Sequence, residues 1–259
     1  MSDTHEHGPV TIITGASSGI GLATAKRLAA RGHRLALAAR SMDRLTAVRD
    51  SLVAAGIDEH DVLLVKTDVG DPIQASALVP RVVEHFDRLD CLFNNAGVAP
   101  LKTIPEHDDA TLQRCFAVNV IGVGLAIADA FRQWTHQRSA GDEAPYTVIN
   151  TSSLATSDPF PGFLAYAASK AAVEMMVRSA ASEGEPLGVR AFAVAPGAVD
   201  TPLLRGIFSA EKLPPEACLS PEDVAAIVEQ MAVGERDEQS GKTVYVKRGS
   251  DGGVEEWPA

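Results

Sequence analysis

Three cysteines in 259 residues, an aromatic content of 5% and a shortage of basic side chains mark this chain before any motif does. Cys91, Cys115 and Cys218 are odd in number and far apart, so they offer neither a disulfide framework nor a CxxC metal pair. A reducing, cytoplasmic setting is the expectation. His5 and His7 stand in a polar lead with no third ligand near them, and no metal site is expected. Lys and Arg number 23 against 34 Asp and Glu, a net charge of −11. That balance argues against a protein that tracks nucleic-acid phosphates along a basic stripe. The lead contains no apolar segment of signal type, and no run of about 18 uninterrupted apolar residues occurs. Neither export nor a membrane span is therefore expected.

What is present is ordinary in amount and informative in order. With 46% hydrophobic and 22% charged residues, the composition is that of a soluble globule. A chain of this length buries about 75% of its unfolded surface, enough for one large α/β domain. Short runs rich in β-branched residues lie at 10–14, 34–39, 62–66, 91–95, 147–151, 190–195 and 243–246. Helical patterns fill the gaps at about 18–31, 42–55, 72–87, 106–136, 166–184 and 221–233. This alternation predicts βαβ units. The expected fold is α/β, a single doubly wound domain with a seven-stranded, mostly parallel sheet and helices on both faces. The proline-rich stretch at about 197–220 follows a strand, at the edge where open α/β sheets bind ligands, and reads as a substrate lid.

Thr14-Gly15-Ala16-Ser17-Ser18-Gly19-Ile20-Gly21 follows the first strand and opens a helix. A diphosphate approaching backbone N–H groups at a helix start needs positions without a Cβ, and this turn supplies them. Four motifs in order, this turn, Asn94-Asn95-Ala96-Gly97, Ser153 and Tyr166-x-x-x-Lys170, resemble the classical short-chain dehydrogenase/reductases. The resemblance runs from about residue 10 to 246 and implies a Rossmann fold, a nicotinamide dinucleotide and hydride transfer at a carbonyl or alcohol carbon. The extended branch of that family spaces its turn as TGxxGxxG, which this sequence does not match. The 196–201 segment and the helix start at 220–224 add a weak similarity to the sepiapterin/benzil reductase-like branch.

The second strand ends Ala38-Ala39-Arg40-Ser41, with no carboxylate to repel a 2′-phosphate. Arg40 offers a planar fork for that phosphate and Ser41 a hydroxyl, so NADP(H) is expected over NAD; the alternative is that Arg40 stacks on adenine or points into solvent. The resemblance places Gly15, Ser17, Ser18, Gly19, Ile20 and Gly21 at the diphosphate. It places Asp68 and Val69 at the adenine, although Asp68 also reads as a turn or cap aspartate. Asn95, Ala96 and Gly97 are implied to lie along the cofactor, with Pro196, Gly197, Val199 and Thr201 beside the nicotinamide and Tyr166 and Lys170 at its ribose.

Proton transfer needs a phenol brought toward neutrality by a cation. Tyr166 and Lys170 lie one helical turn apart on one face. Ser153 suits a donor to the carbonyl oxygen, and Asn119 matches the family asparagine that holds a relay water. The expected catalytic set is Asn119, Ser153, Tyr166 and Lys170. Residues 154–164 with Leu203, Leu204, Ile207 and Phe208 suggest a mostly apolar substrate pocket. The leading expectation is reduction of a ketone or aldehyde on a small apolar molecule, or oxidation of its alcohol. The alternatives are a 3-oxoacyl-thioester reductase of fatty-acid or polyketide type and a catalytically silent dinucleotide sensor. The resemblance also implies a homodimer or homotetramer assembled through the helices at 106–136 and 166–184. Two departures from the family stand out: Phe192 where asparagine is common, and an unusual ending at 247–259.

Overall fold

The computed structural model describes residues 8–258, so His5 and His7 lie outside the described residues. One sheet runs through the molecule in the order β3-β2-β1-β4-β5-β6-β7-β8. Its strands are β1 (Val10–Thr14), β2 (Arg34–Ala39), β3 (Val62–Lys66), β4 (Cys91–Asn94), β5 (Tyr146–Thr151), β6 (Val189–Pro196), β7 (Thr243–Arg248) and β8 (Val254–Pro258). The first seven pair in parallel and their bounds match the β-branched runs closely. β1 lies between β2 and β4, so the strand order reverses beside it and opens a crevice at the carboxyl ends, the place where such sheets bind ligands.

Both faces are covered. Alternate side chains of β1 leave the sheet in opposite directions, Ile13 into one core layer and Ile12 into the other. The first layer is closed by α1 (Gly19–Ala30), α2 (Met42–Ala54) and α9 (Pro221–Ala232), through Leu28, Leu45, Leu52, Ile227 and Met231. Phe192 is fully buried here, so the residue that departs from the family pattern fills core volume. The second layer is closed by α4 (Leu78–Phe86), α6 (Gly122–Ser139) and α7 (Leu164–Gly184), with Trp134 stacked on Tyr146 at its centre.

Three expectations need correction. The sheet has eight strands, because 254–258 returns antiparallel to β7 as β8. Every residue of β8 is exposed and its sequence, Val-Glu-Glu-Trp-Pro, lacks an alternating apolar face. Its ladder with β7, the Arg236–Glu256 and Lys247–Glu255 pairs and the Trp257–Tyr245 stack hold it instead. The helical pattern at 72–87 is two helices, α3 (Pro72–Ser76) and α4, since Pro80 has no N–H to bond the carbonyl of Ser76. The pattern at 106–136 starts later, as α5 (Asp109–Phe116) capped by Asp108, passes through a π-helical turn at Ala117–Ile121, and continues as α6. The combined run Asp109–Ser139 is long and apolar enough, by length and composition alone, to cross a membrane. Here it packs on α3 and α7.

Candidate active site

The carboxyl ends of the strands border a cleft of about 1180 Å³. Of the residues singled out from sequence, Gly15, Ser17, Ser18, Gly19, Ile20, Arg40, Ser41, Asp68, Val69, Asn95, Ala96, Gly97, Ser153, Tyr166, Lys170, Pro196, Gly197, Val199 and Thr201 line it. Gly21 and Asn119 do not; they stand behind the wall and shape it.

The glycine turn is built by close packing. Gly15 and Gly19 have φ of +67° and +54°, a region in which a side chain is strained. A Cβ on Gly21 would stand 2.5 Å from the Gly15 carbonyl oxygen. Thr14 locks the turn to the end of β4: its hydroxyl accepts from the N–H groups of both Asn95 and Ala96, at 3.0 Å each. The Asn95 amide in turn donates to the Thr14 carbonyl at 3.0 Å. Ser18 precedes α1 in extended conformation and makes no side-chain capping bond, and the first turn of α1 holds no acidic residue. The helix therefore presents unsatisfied N–H groups and its positive end to the cleft, the chemistry a diphosphate requires. The residues present fit a dinucleotide.

At the far end of the cleft β2 delivers Arg40 and Ser41. Ser41 caps α2, its hydroxyl accepting from Arg44 N–H at 3.4 Å. Arg44, which sequence reasoning passed over, also lines the cleft. Its signal was available, since it follows Arg40 by four residues across a helix start. No carboxylate stands at the end of β2. Asp68 lines the cleft and is held by contacts within the chain. Its carboxylate accepts from Gly70 N–H at 2.9 Å and from Arg114 Nη2 at 3.0 and 3.1 Å. Burial raises its pKa, but these bonds and the arginine charge outweigh that and hold it below the usual carboxylate value. Asp68 is thus a turn aspartate paired with a cation, and Arg114 is a second cleft residue missed from sequence.

Lys170, Tyr166 and Ser153 converge at the centre. Tyr166 and Lys170 project from one face of α7, the Lys170 Nζ lying 5.7 Å from the phenol ring centre. The ammonium donates to the Thr151 carbonyl at the end of β5, at 2.6 Å. Burial pushes Lys170 down to about 8. Burial likewise raises the Tyr166 phenol, and the nearby Ser153 hydroxyl opposes the rise. Asn119 sits in the π-helical turn, where the extra residue per turn re-aims the side chain. Its Oδ1 accepts from Val98 N–H at 2.9 Å, and its Nδ2 donates to Val98 O and Ser169 Oγ, both at 2.9 Å. An added Cβ on Gly97 would stand 3.4 Å from Asn119 Oδ1 and 3.6 Å from Lys170 Nζ, so both polar ends reach the space beside that glycine.

The expected lid is an ordered excursion. Its base is closed by Leu219 N–H to Ala198 O at 2.8 Å and Asp200 N–H to Leu219 O at 2.9 Å. It carries the short helix α8 (Pro202–Arg205), capped by Thr201, and Arg205 ties the loop to Asp200 and to the Leu213 carbonyl. From it Phe208 meets Phe160 edge-on at 5.7 Å; Phe160 packs on Phe163 at 5.8 Å, and Phe163 on Tyr166 at 5.2 Å. An aromatic ladder therefore runs from the lid to the phenol, flanked by Leu154, Leu203, Leu204 and Ile207.

Comparison with known proteins agrees with this geometry. The family model described as short chain dehydrogenase matches residues 9–212. A cis-4-hydroxycyclohexanecarboxylate dehydrogenase from Sinomonas cyclohexanicum is 36% identical over 233 residues, which cover 86% of this chain and 88% of that protein. The solved 3-ketoacyl-(acyl-carrier-protein) reductase from Brucella melitensis, complexed with NADH, superposes with a TM-score of 0.84 at 26% identity, covering 93% and 97% of the two chains. A short chain dehydrogenase from Burkholderia cenocepacia J2315 in complex with NADP does so with a TM-score of 0.82 at 29% identity, covering 95% and 98%. The chain belongs to the short-chain dehydrogenase/reductase family, in its classical branch.

Proposed function

We propose that the protein is an NADP(H)-dependent oxidoreductase that interconverts a ketone or aldehyde and its alcohol on a small, largely apolar molecule. The observation that carries this reading is the convergence of Ser153, Tyr166 and Lys170 at the foot of an aromatic and aliphatic pocket. The nicotinamide, when bound, supplies or accepts the hydride. The chain does the rest. As charge grows on the carbonyl oxygen, Ser153 donates a hydrogen bond to it and Tyr166 passes it the phenolic proton. A phenol raised by burial is protonated at neutral pH, which suits the acid needed for reduction. Lys170 places positive charge beside the phenol, and the space beside Gly97 suits a water linking it to Asn119.

Arg40, with Arg44 beside it, no acidic side chain at the end of β2 itself and the nearby Asp68 paired with Arg114, supports NADP(H) over NAD. The ring named in the Sinomonas relative suits the aromatic ladder, and a cyclic ketone or alcohol is the substrate class of choice. Likeness to the Brucella reductase favours 3-oxoacyl-thioester reduction as the second reading. Exposed Leu112, Ile121 and Met175 on α5, the π-helical turn and α7 support assembly as a homodimer or homotetramer. Three free, buried cysteines support a reducing cytoplasm.

The test is NADPH oxidation by purified protein with cyclic diketones, aromatic ketones, aldehydes and acetoacetyl thioester. Turnover confined to the thioester favours the second reading, and no turnover at all refutes both. Tyr166→Phe is expected to lower kcat at least about a hundredfold with NADPH binding intact. Arg40→Asp is expected to weaken NADPH about tenfold or more while sparing NADH, and equal loss of both refutes the phosphate role.

A further inference from the structure

Glu174 is a buried carboxylate, 8% exposed, that none of the chemistry above uses. No lysine or arginine pairs with it among the described residues. Its partners are hydroxyls. Ser152 Oγ donates to Oε1 at 2.6 Å and Thr156 Oγ1 donates to the same oxygen at 2.8 Å. Tyr245 OH reaches Oε2 at 3.5 Å and lies 3.2 Å from Thr156 Oγ1.

These partners are placed around one residue. Ser152 precedes Ser153, and the single Thr156 hydroxyl proton lies between Glu174 Oε1 and the Ser153 carbonyl, 2.9 Å from Oγ1. One carboxylate oxygen thus gathers the chain on both sides of Ser153. Glu174 itself follows Tyr166 and Lys170 by eight and four residues, on the same face of α7. The network therefore spans the two elements whose separation sets the distance from the serine hydroxyl to the phenol. It extends outward as well: the Tyr245 ring stacks on Trp257, 5.7 Å away and 19° from parallel, so β8 buttresses the tyrosine that closes the network.

We propose that Glu174 is a positioning residue: by accepting hydrogen bonds from Ser152 and Thr156 it holds Ser153 against the Tyr166 phenol. Its effect on turnover rests on the proposed oxidoreductase reading; its effect on the phenol does not. A buried acceptor shared by two hydroxyls is geometrically demanding, because losing it frees both to seek other partners. Displacements well below the length of a bond to a reacting group are enough to slow a reaction that depends on near-attack geometry.

The experiment compares Glu174→Leu, which keeps the volume and removes the acceptor, with Glu174→Gln, which keeps an amide oxygen for Ser152 and Thr156. The first readout needs no substrate. Protein labelled with ¹³Cζ-tyrosine gives three resonances, and the Tyr166 signal, assigned with Tyr166→Phe, is titrated with pH. The groups facing that phenol are Ser153 from the end of β5, Cys115 from α5 and Lys170 from its own helix. Drift of the Ser153 hydroxyl away from the phenol moves the titration to higher pH in Glu174→Leu, and the titration stays in place in Glu174→Gln. The second readout is steady-state reduction of cyclohexane-1,2-dione with NADPH. Glu174→Leu is expected to lower kcat about ten- to a hundredfold, with KM and NADPH affinity within about threefold, and Glu174→Gln to restore most of kcat. If Glu174→Leu does not fold, the double substitution Ser152→Ala with Thr156→Val removes the same two bonds and is read the same way. An unchanged phenol titration in Glu174→Leu overturns the proposal, as does equal loss in the leucine and glutamine variants. A wild-type protein that turns over no carbonyl sinks the enzymatic reading and leaves the titration as the test of Glu174.

Discussion

Replacing Gly21 with alanine tests the claim that the phosphate-facing turn is held by backbone packing. Gly21 is buried in the first turn of α1, and the added methyl carbon would stand 2.5 Å from Gly15 O and 2.7 Å from Asn95 Nδ2. Neither neighbour can swing away cheaply. The first is main chain, and the second is fixed by its bonds to the Thr14 and Gly15 carbonyls. Overpacking against such partners costs about 3 kcal/mol, the upper part of the usual range. Alanine in a helix recovers up to about 1 kcal/mol of backbone entropy, leaving a net loss of about 2 kcal/mol. Unfolding entropy for a chain of this length is about 0.5 kcal/mol per degree, so Tm should fall by about 4 °C. NADPH affinity, read by quenching of the two tryptophans or by calorimetry, should fall about tenfold as α1 shifts from the cleft. Gly197→Ala is the control. It also lines the cleft, but its nearest atoms are at 3.5 and 3.6 Å, ordinary contacts, and its Tm should stay within about 1 °C of wild type. A Gly21→Ala protein with unchanged Tm and NADPH affinity would refute the packing argument.

Thr14→Val removes the one acceptor shared by the Asn95 and Ala96 N–H groups and should cost about 2 kcal/mol, or about 4 °C in Tm, while Thr14→Ser should stay near wild type. Glu229 of α9 bridges Arg27 of α1 and Arg31 just past its end. Burial raises its carboxyl pKa, but bonds from Arg31 and Arg27 more than offset this and hold it below its ordinary 4.5. A depressed carboxyl stabilises the fold above its unfolded pKa and loses that contribution as pH falls through the folded one. Glu229→Ala should therefore lower Tm by about 2–4 °C at pH 7, a modest effect because both arginines are nearly half exposed, and the gap should close below pH 4.5. A gap unchanged at pH 3 contradicts the ion-pair account. Carbonyl reduction should decline as pH rises through about 8, where Lys170 gives up its proton, and a profile flat to pH 10 would remove the lysine charge from the mechanism.

The seven parallel strands and the cleft-lining glycines were legible in the sequence because each is dictated locally: β-branched runs for buried strands, positive φ for Gly15 and Gly19. The gathering of Ser153, Tyr166 and Lys170 at the cleft and the place of Gly21 behind its wall were legible through motif spacing, and the position of Arg40 through the end of β2. β8 was not, because an edge strand held by ion pairs and one aromatic stack has no apolar period to read. The break at Ser76 was readable from Pro80, but the pattern of apolar residues runs on across it. Asp68 shows a different limit. Its neighbours in sequence mark a turn, yet what occupies its carboxylate is Arg114, 46 residues away, and only the docking of α5 on the end of β3 brings them together. Glu174 was hidden for the same reason, since its three partners come from the segment that follows β5 and from β7.

Net charge misleads about this cleft in a way that the structure makes plain. A protein of net charge −11 should repel a polyanionic dinucleotide if bulk charge governed the encounter. The cleft is lined by Arg40, Arg44, Arg114, Lys170 and Lys212 against Asp68 and Asp158 only. Asp68 is already paired with Arg114, so the local field is positive within a negative surface. Screening at physiological salt acts over about 8 Å, which confines each distant surface carboxylate to its own neighbourhood and leaves the cleft cations and the start of α1 to set the potential an incoming phosphate meets. Nucleic acid differs, because its many phosphates must track a basic surface far wider than one cleft. A net negative composition is therefore compatible with binding a small polyanion, because the charges that decide are the few that face the ligand.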